Sequence, residues 1–162
     1  YVKEWGMEQI VRDARIGQIY EGANGVQAID LVGRKIMRDG GKTLLELLGD
    51  ITSSEVPPEF SQPLADVCRR LEAVTQSVVS RGKQDPNLPG AVSVDFLDFV
   101  GLTVCAWMWA RMASSAPANE FGDAKRATAR YFFARLLPQT LGLEQSINAE
   151  SEAVMAMPEA LF

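Results

Sequence analysis

The sequence contains no histidine in its 162 residues. Without imidazole, neither a Ser-His-Asp nor a Cys-His nucleophilic site can be assembled within this chain. The commonest metal ligand is missing too, so no metal site is predicted. Cysteine is scarce. Cys68 and Cys105 are the only two, and both sit inside apolar helical patterns, which reads as two buried thiols rather than a disulfide. No long basic run occurs and the formal net charge is −5. Nucleic-acid binders carry a basic stripe, so that class is set aside. The charge-free stretch Phe99 to Ala110 falls short of the roughly 20 residues a membrane span needs, and is read as a core helix. Strand-like alternation and internal repeats are absent.

What remains is helical periodicity in a chain that is 47% hydrophobic. The first residue, Tyr1, already falls within a helical pattern, which reads as a piece of a longer protein. A first helix is predicted over 2–15, with Val2, Trp5, Gln9, Ile10 and Ala14 on one face. A turn follows over 16–23. A second helix runs from Asn24 to about Arg38, with Val26, Ile29, Gly33, Ile36 and Met37 packed and an Asp30–Arg34 pair in the favourable i,i+4 orientation. Asp39-Gly40-Gly41 stops it. Gly40-Gly41-Lys42-Thr43 looks like the end of a phosphate-binding loop, but the glycine needed five residues before Gly41 is Ile36.

A short helix over 43–51 presents Leu44, Leu47, Leu48 and Ile51. The polar stretch through Pro57-Pro58 reads as a linker. A long helix spans 61–81, with Leu64, Val67, Cys68, Leu71, Val74, Val78 and Val79 inward. After a proline-bearing loop, the most apolar helix covers 91–115. Its Trp107 and Trp109 cannot share a face, so one must meet a different layer. Another helix, 121–137, is given Ala124, Ala127, Tyr131, Phe132 and Leu136 as its packed side. Its Lys125, Arg126, Arg130 and Arg135 read as a solvated face. Pro138 ends that helix, a further turn or two covers 140–147, and the rest is an extended tail whose Met155, Met157, Leu161 and Phe162 are candidates for surface docking.

The chemistry concentrates at Tyr20-Glu21-Gly22-Ala23-Asn24-Gly25-Val26-Gln27. Asn24 is a good N-cap and Gln27 completes a capping box. Gly22 and Gly25 allow a sharp bend and a close approach. Glu21 then precedes a helix start, where the dipole favours negative charge. Two readings stay open on spacing alone: electrostatic support of the helix, or a general base aimed from a fixed turn.

Arg12-Asp13-Ala14-Arg15-Ile16, followed by Ile19-Tyr20-Glu21-Gly22 and by Gln27, resembles the C-terminal signature of the acyl-CoA dehydrogenases, R-D-A-(K/R)-I and then I-Y-E-G-T. The match covers roughly residues 3 to 40. The remainder is similar to the extra helical domain of the methylmercaptopropionyl-CoA dehydrogenase-like branch. The resemblance implies an all-α chain, an antiparallel helical bundle preceded by the last helices of the dehydrogenase C-terminal domain. Residues 1–52 would end that domain, 53–60 link, 61–147 form the extra bundle, and 148–162 form the tail, with no further domain after it.

It also implies an oxidoreductase of fatty acid metabolism that converts acyl-CoA to trans-2-enoyl-CoA with bound FAD. Glu21 would be the base, Tyr20 and Gly22 would meet the substrate, and Ala23, Asn24, Gly25 and Gln27 the flavin. Ala23 departs from the family's usual threonine, so a hydroxyl contact is lost there. The family's N-terminal helical domain and middle β-domain lie outside this chain, so the chain alone is expected to be inactive and without FAD. Electron-transfer flavoprotein as acceptor, a homo-oligomer and a cytoplasmic location complete the implied picture. The competing reading is a non-catalytic helical interaction or oligomerisation module.

Overall fold

The chain turns a sharp corner on two left-handed glycines, Gly40 and Gly41, with φ of 69° and 83°. The computed structural model describes residues 3–19 and 23–161, and among these every regular element is helical. Helix α1 covers Glu8–Ile19, and α2 covers Ala23–Ile29 and runs on without a break through a π-helical segment, Asp30–Ile36, into the short α3, Met37–Asp39. Helix α4 is Lys42–Thr52, α5 Pro58–Gly82, α6 Leu88–Ala91 and α7 Ser93–Ser115. Helix α8, Glu120–Tyr131, passes through π and 3-10 turns into α9, Thr140–Asn148, and α10 is Glu152–Met155.

Helix α7 is the centre, with α2, α5, α8 and α9 packed on it. Its buried positions, Phe96, Phe99, Thr103, Ala106, Ala110 and Ala113, step by three or four residues, as a core stripe must. Among the described residues it is the one helix that length and composition alone would allow to cross a membrane. In this fold it is the core helix that the sequence predicts. Leu64, Val67, Cys68, Leu71, Val74 and Val78 of α5 face it, and Leu44, Leu48 and Ile51 of α4 join the same core. Val32 and Ile36 join it as well, so helices on both sides of Pro57-Pro58 share one interior.

The corner at Gly40-Gly41 has a physical cause. The Asp39 carboxylate accepts the N–H of Gly41 at 2.8 Å and of Thr43 at 3.0 Å, so it caps α4. A Cβ on Gly41 would stand 2.6 Å from the Thr75 methyl on α5, so only glycine lets α4 approach this closely. The stretch that resembles a phosphate loop thus joins helix to helix, and a carboxylate holds its N–H groups.

Polar ties fix the other helices. Arg70 on α5 donates to Glu144 at 2.8 Å and to Thr140 at 2.6 Å on α9, and its guanidinium lies 5.4 Å from the Phe99 ring centre. Arg130 on α8 makes a two-bonded pair with Glu59 on α5, at 2.8 and 2.9 Å. Arg126 holds the carbonyls of Ala116 and Pro117. These two cations of α8 therefore hold the fold together; they are not simply solvated. The Trp107 indole N–H donates to Ser54 at 2.9 Å, while Trp109 also packs on a second cluster of Phe60, Ala110, Ala113 and Ala129. The two tryptophans do reach different surroundings.

Several expectations are corrected. Gly6 has φ 66°, which no helix accommodates, so the first helix starts at Glu8. It then continues through 16–19, because Gly17 alone costs only about 1 kcal/mol and does not stop it. The packed face of α2 is Ala28, Val32 and Ile36, while Val26 and Ile29 are exposed. A spacing of four stays on one face because the wider π turn slows the rotation. On α8 the buried residues are Gly122 and Ala129, followed by Phe132, whereas Ala124, Ala127 and Tyr131 face solvent. Small residues win there because α8 approaches the alanines of α7. Gly122 lies against the Pro117 carbonyl, which a Cβ there would meet at 1.8 Å, so no larger residue fits without a shift.

Cys105 is exposed, at the groove between α7 and α9. Cys68 is buried, and burial pushes its thiol up to about 11. The tail is not wholly extended, since α10 and a 3-10 turn at Glu159–Leu161 interrupt it. Its Met155, Met157 and Leu161 remain exposed, and Phe162 lies outside the described residues.

Three carboxylates at these corners are held below their ordinary range: Asp39 by hydrogen bonds from Thr43, Glu59 by Arg130, and Asp85 by the Ser151 hydroxyl. A depressed folded value contributes stability that is complete above the unfolded values of about 3.9–4.3 and is lost as pH falls through the folded ones. Melting temperature should therefore fall on acidification through this window, modestly because all three groups are open to solvent. The acid limb should be flatter in Glu59→Gln and Asp39→Asn. Limbs that superimpose with the parent chain would contradict the assignment.

Candidate active-site turn

Tyr20, Glu21 and Gly22 lie outside the described residues, as does the Ala23 side chain. The structure defines what brackets them: α1 ends at Ile19 and α2 begins at Ala23. Asn24 is therefore inside the first turn of α2 and is not its cap, so the predicted box with Gln27 does not form. Gly25 lies in the same turn. Its φ is not positive, and a Cβ there would touch nothing within 4 Å, so this glycine makes no bend in the chain. Asn24, Gly25 and Gln27 are all exposed on one short arc of helix.

The first four N–H groups of a helix have no acceptor within it, and they carry the positive end of its dipole. In α2 these groups follow directly on residues 20–22 in the chain. The helix is held firmly from behind, because Ala28, Val32 and Ile36 are buried in the core. Asp30 also pairs with Arg34 at 3.0 Å, as the i,i+4 spacing predicts.

The other bracket differs. Helix α1 has no buried residue. Its side chains engage one another: Arg12 donates to Glu8 at 3.0 Å and Gln9 at 2.7 Å, Gln9 to Asp13 at 2.7 Å, and Arg15 to Gln18 at 2.7 Å. A shallow cleft is lined by Val11, Arg12, Ala14, Arg15 and Gln18. Met7 just before α1, Ile10, Ile16 and Ile19 on α1, and Val26 and Ile29 on α2 are large apolar residues left exposed on both sides of residues 20–22. That much exposed apolar area marks a face made to be covered.

A second feature escapes sequence reading. Arg34, Lys35 and Arg38 gather at a groove floored by Leu31, Leu44, Leu47 and Val100. The cations stand one turn apart, but their link to leucines of α4 arises only when α4 folds back at Gly40-Gly41.

A family model described as "Acetyl-CoA dehydrogenase C-terminal like" matches residues 41–158. The chain is 35% identical to a 3-methylmercaptopropionyl-CoA dehydrogenase of Ruegeria pomeroyi, over 96% of this chain and 29% of that protein. It is 28% identical to a broad-specificity linear acyl-CoA dehydrogenase of Mycobacterium tuberculosis, over 100% of this chain and 30% of the relative. A butyryl-CoA dehydrogenase of Syntrophomonas wolfei is 21% identical over 98% of this chain and 29% of its own length. The chain thus spans about 30% of the length of the curated relatives it matches.

Proposed function

The chain belongs to the acetyl-CoA dehydrogenase C-terminal-like family of the acyl-CoA dehydrogenases, and on that premise we propose that it is the C-terminal part of an FAD-dependent enzyme in which Glu21 takes the α-proton of an acyl-CoA thioester. One observation carries this reading. The Arg12-Asp13-Ala14-Arg15-Ile16 and Ile19-Tyr20-Glu21-Gly22 strings stand together, and the Mycobacterium relative is matched over 100% of the chain, through this turn. A generic helical module has no need of both strings.

The α-proton of a thioester is weakly acidic, so its removal needs a base aligned on the C–H bond. A carboxylate shielded from water by substrate and cofactor becomes a stronger base than one in solution, since desolvation disfavours its charged form. Glu21 takes the proton, and Tyr20 and Gly22 border the acyl thioester. Ala23, Asn24 and Gly25 supply helix N-terminal N–H groups, and Asn24 and Gln27 amide side chains, to an anionic or ribose group of the cofactor. The exposed first turn of α2 fits such a contact, and Ala23 offers only its backbone. Bound FAD supplies the acceptor for the hydride leaving the β-carbon. The onward electron acceptor would be electron-transfer flavoprotein, and the enzyme would be a cytoplasmic homo-oligomer. Residues 1–52 would close the dehydrogenase domain and 61–147 would be the appended bundle. The apolar face of α1 and α2 is where the rest of the enzyme would seat.

The isolated chain is expected to purify colourless and to leave acyl-CoA unoxidised. The described arc of α2 is open on its outer side, and a flavin needs an enclosing pocket. The complete protein should show visible flavin absorption that bleaches anaerobically with acyl-CoA. Flavin retained by the isolated chain would move the cofactor pocket into these residues. A complete protein that binds no flavin would remove the proposed function.

A further inference from the structure

We propose that residues 152–161 of a second copy of the chain dock into the groove between the π segment, α4 and α7. The groove holds about 580 Å³. Leu31, Leu44, Leu47 and Val100 form its apolar floor, and Arg34, Lys35 and Arg38 its rim. A smaller, polar cleft beside it shares those same three cations. Arg34 and Lys35 lean on Asp30 at 3.0 and 3.8 Å, while Arg38 is exposed and forms no ion pair among the described residues. Asp39 also reaches the groove, but its oxygens are held by the N–H groups of Gly41 and Thr43. The surface therefore asks for a segment with large apolar side chains and negative charge.

Such a segment is present in the same chain. Residues 149–162 carry Glu150, Glu152 and Glu159 and no lysine or arginine. Val154, Met155, Met157 and Leu161 are 57% to 73% exposed, the largest run of unpartnered apolar side chains outside α1 and α2. The root of the segment is fixed. The Ser151 hydroxyl donates to Asp85, and Arg81 donates to the Ala149 carbonyl at 2.6 Å. Glu150 pairs with Arg81 at 3.6 Å, which leaves Glu152 and Glu159 for another partner. Beyond that root the segment turns its methionines and leucine to water and leaves its own groove open.

Two copies answer both needs. Each gives one segment and receives one, so the contact is self-complementary and closes as a two-fold pair. Methionine side chains adapt to an irregular apolar floor, and the two glutamates meet the cationic rim. This pairing goes beyond the Glu21 chemistry and does not depend on it.

The test compares the 162-residue chain with a version ending after Ser151, which keeps the Asp85 anchor. Sedimentation equilibrium should show weaker self-association for the shortened chain than for the full one, whatever the α1 and α2 face adds to both. A fluorescein-labelled peptide of residues 152–162 should bind the shortened chain, read by anisotropy. Arg38→Glu should weaken that binding about tenfold, on the scale of a lost interface contact. A peptide carrying Glu152→Lys and Glu159→Lys should restore it. Met155→Asp and Leu161→Asp in the peptide, which cannot disturb the folded chain, should abolish binding. Absent peptide binding, or binding indifferent to both sets of changes, overturns the proposal. So does a shortened chain that dimerises as well as the full one. A full chain that stays monomeric while its shortened form binds the peptide would mean that the segment folds back on its own groove, and the second copy would be discarded as occupant.

Discussion

Glu21→Gln in the complete enzyme should slow acyl-CoA-dependent flavin reduction by about 10²–10⁴-fold, the usual loss when a general base is removed. Glutamine keeps the length and much of the hydrogen bonding of glutamate, but its amide oxygen is too weak a base to hold the α-proton. The flavin should stay bound, because the contacts proposed for this chain come from Ala23, Asn24, Gly25 and Gln27. Anaerobic stopped-flow mixing with acyl-CoA reads the bleaching directly, and the flavin-to-protein absorbance ratio reads retention. Reduction at the parent rate would give the proton to another group. Loss of flavin from an otherwise folded variant would make Glu21 a support for the helix start, the other reading its position allows. Slow bleaching with full flavin occupancy separates the base from both.

The largest stability effect is expected at Phe99→Ala. Phe99 is fully buried on α7, and the Arg70 guanidinium lies 5.4 Å from its ring centre. Removing the ring deletes buried apolar surface, leaves a cavity and strips the cover from a cation tied to Glu144 and Thr140. Phe→Ala in such a core costs about 3–5 kcal/mol. For a chain of this size each kcal/mol lowers the melting temperature by roughly 2–4 °C. Tyr131→Ala is the matched control. Tyr131 is 61% exposed, and surface changes of this kind stay within about 0.5 kcal/mol. Equal losses at the two positions, measured by thermal or urea unfolding, would reverse the assignment of which face of α8 is packed.

That contrast marks where sequence stops being informative. Helix type and extent follow from local rules, so α4, α5, α7 and α9 lie within a few residues of their periodic patterns. The leucines and valines of α5 point inward as predicted, because a strong stripe at helical spacing has one side on which to bury. Glu21 is singled out as the catalytic candidate by neighbouring letters alone, and it lies outside the described residues. On α8 no strong stripe exists. Which side packs is decided by α7, whose Ala110 and Ala113 share one buried cluster with Ala129 of α8. The π segment is also a tertiary outcome. It holds Val32 and Ile36 on one face with Ala28 against the core, although Val26 and Ile29 are no less apolar. Cys105 and Cys68 occupy similar apolar patterns, and only the packing of the helices leaves one thiol open at a groove and the other enclosed in the core. Sequence by itself determined the helices and the buried stripe of α5, because each rests on residues close together in the chain. Tertiary structure decided the packed sides of α2 and α8, the Arg70 and Arg130 ties and the cationic groove. Those depend on how closely two helices approach, which is set by side chains tens of residues apart.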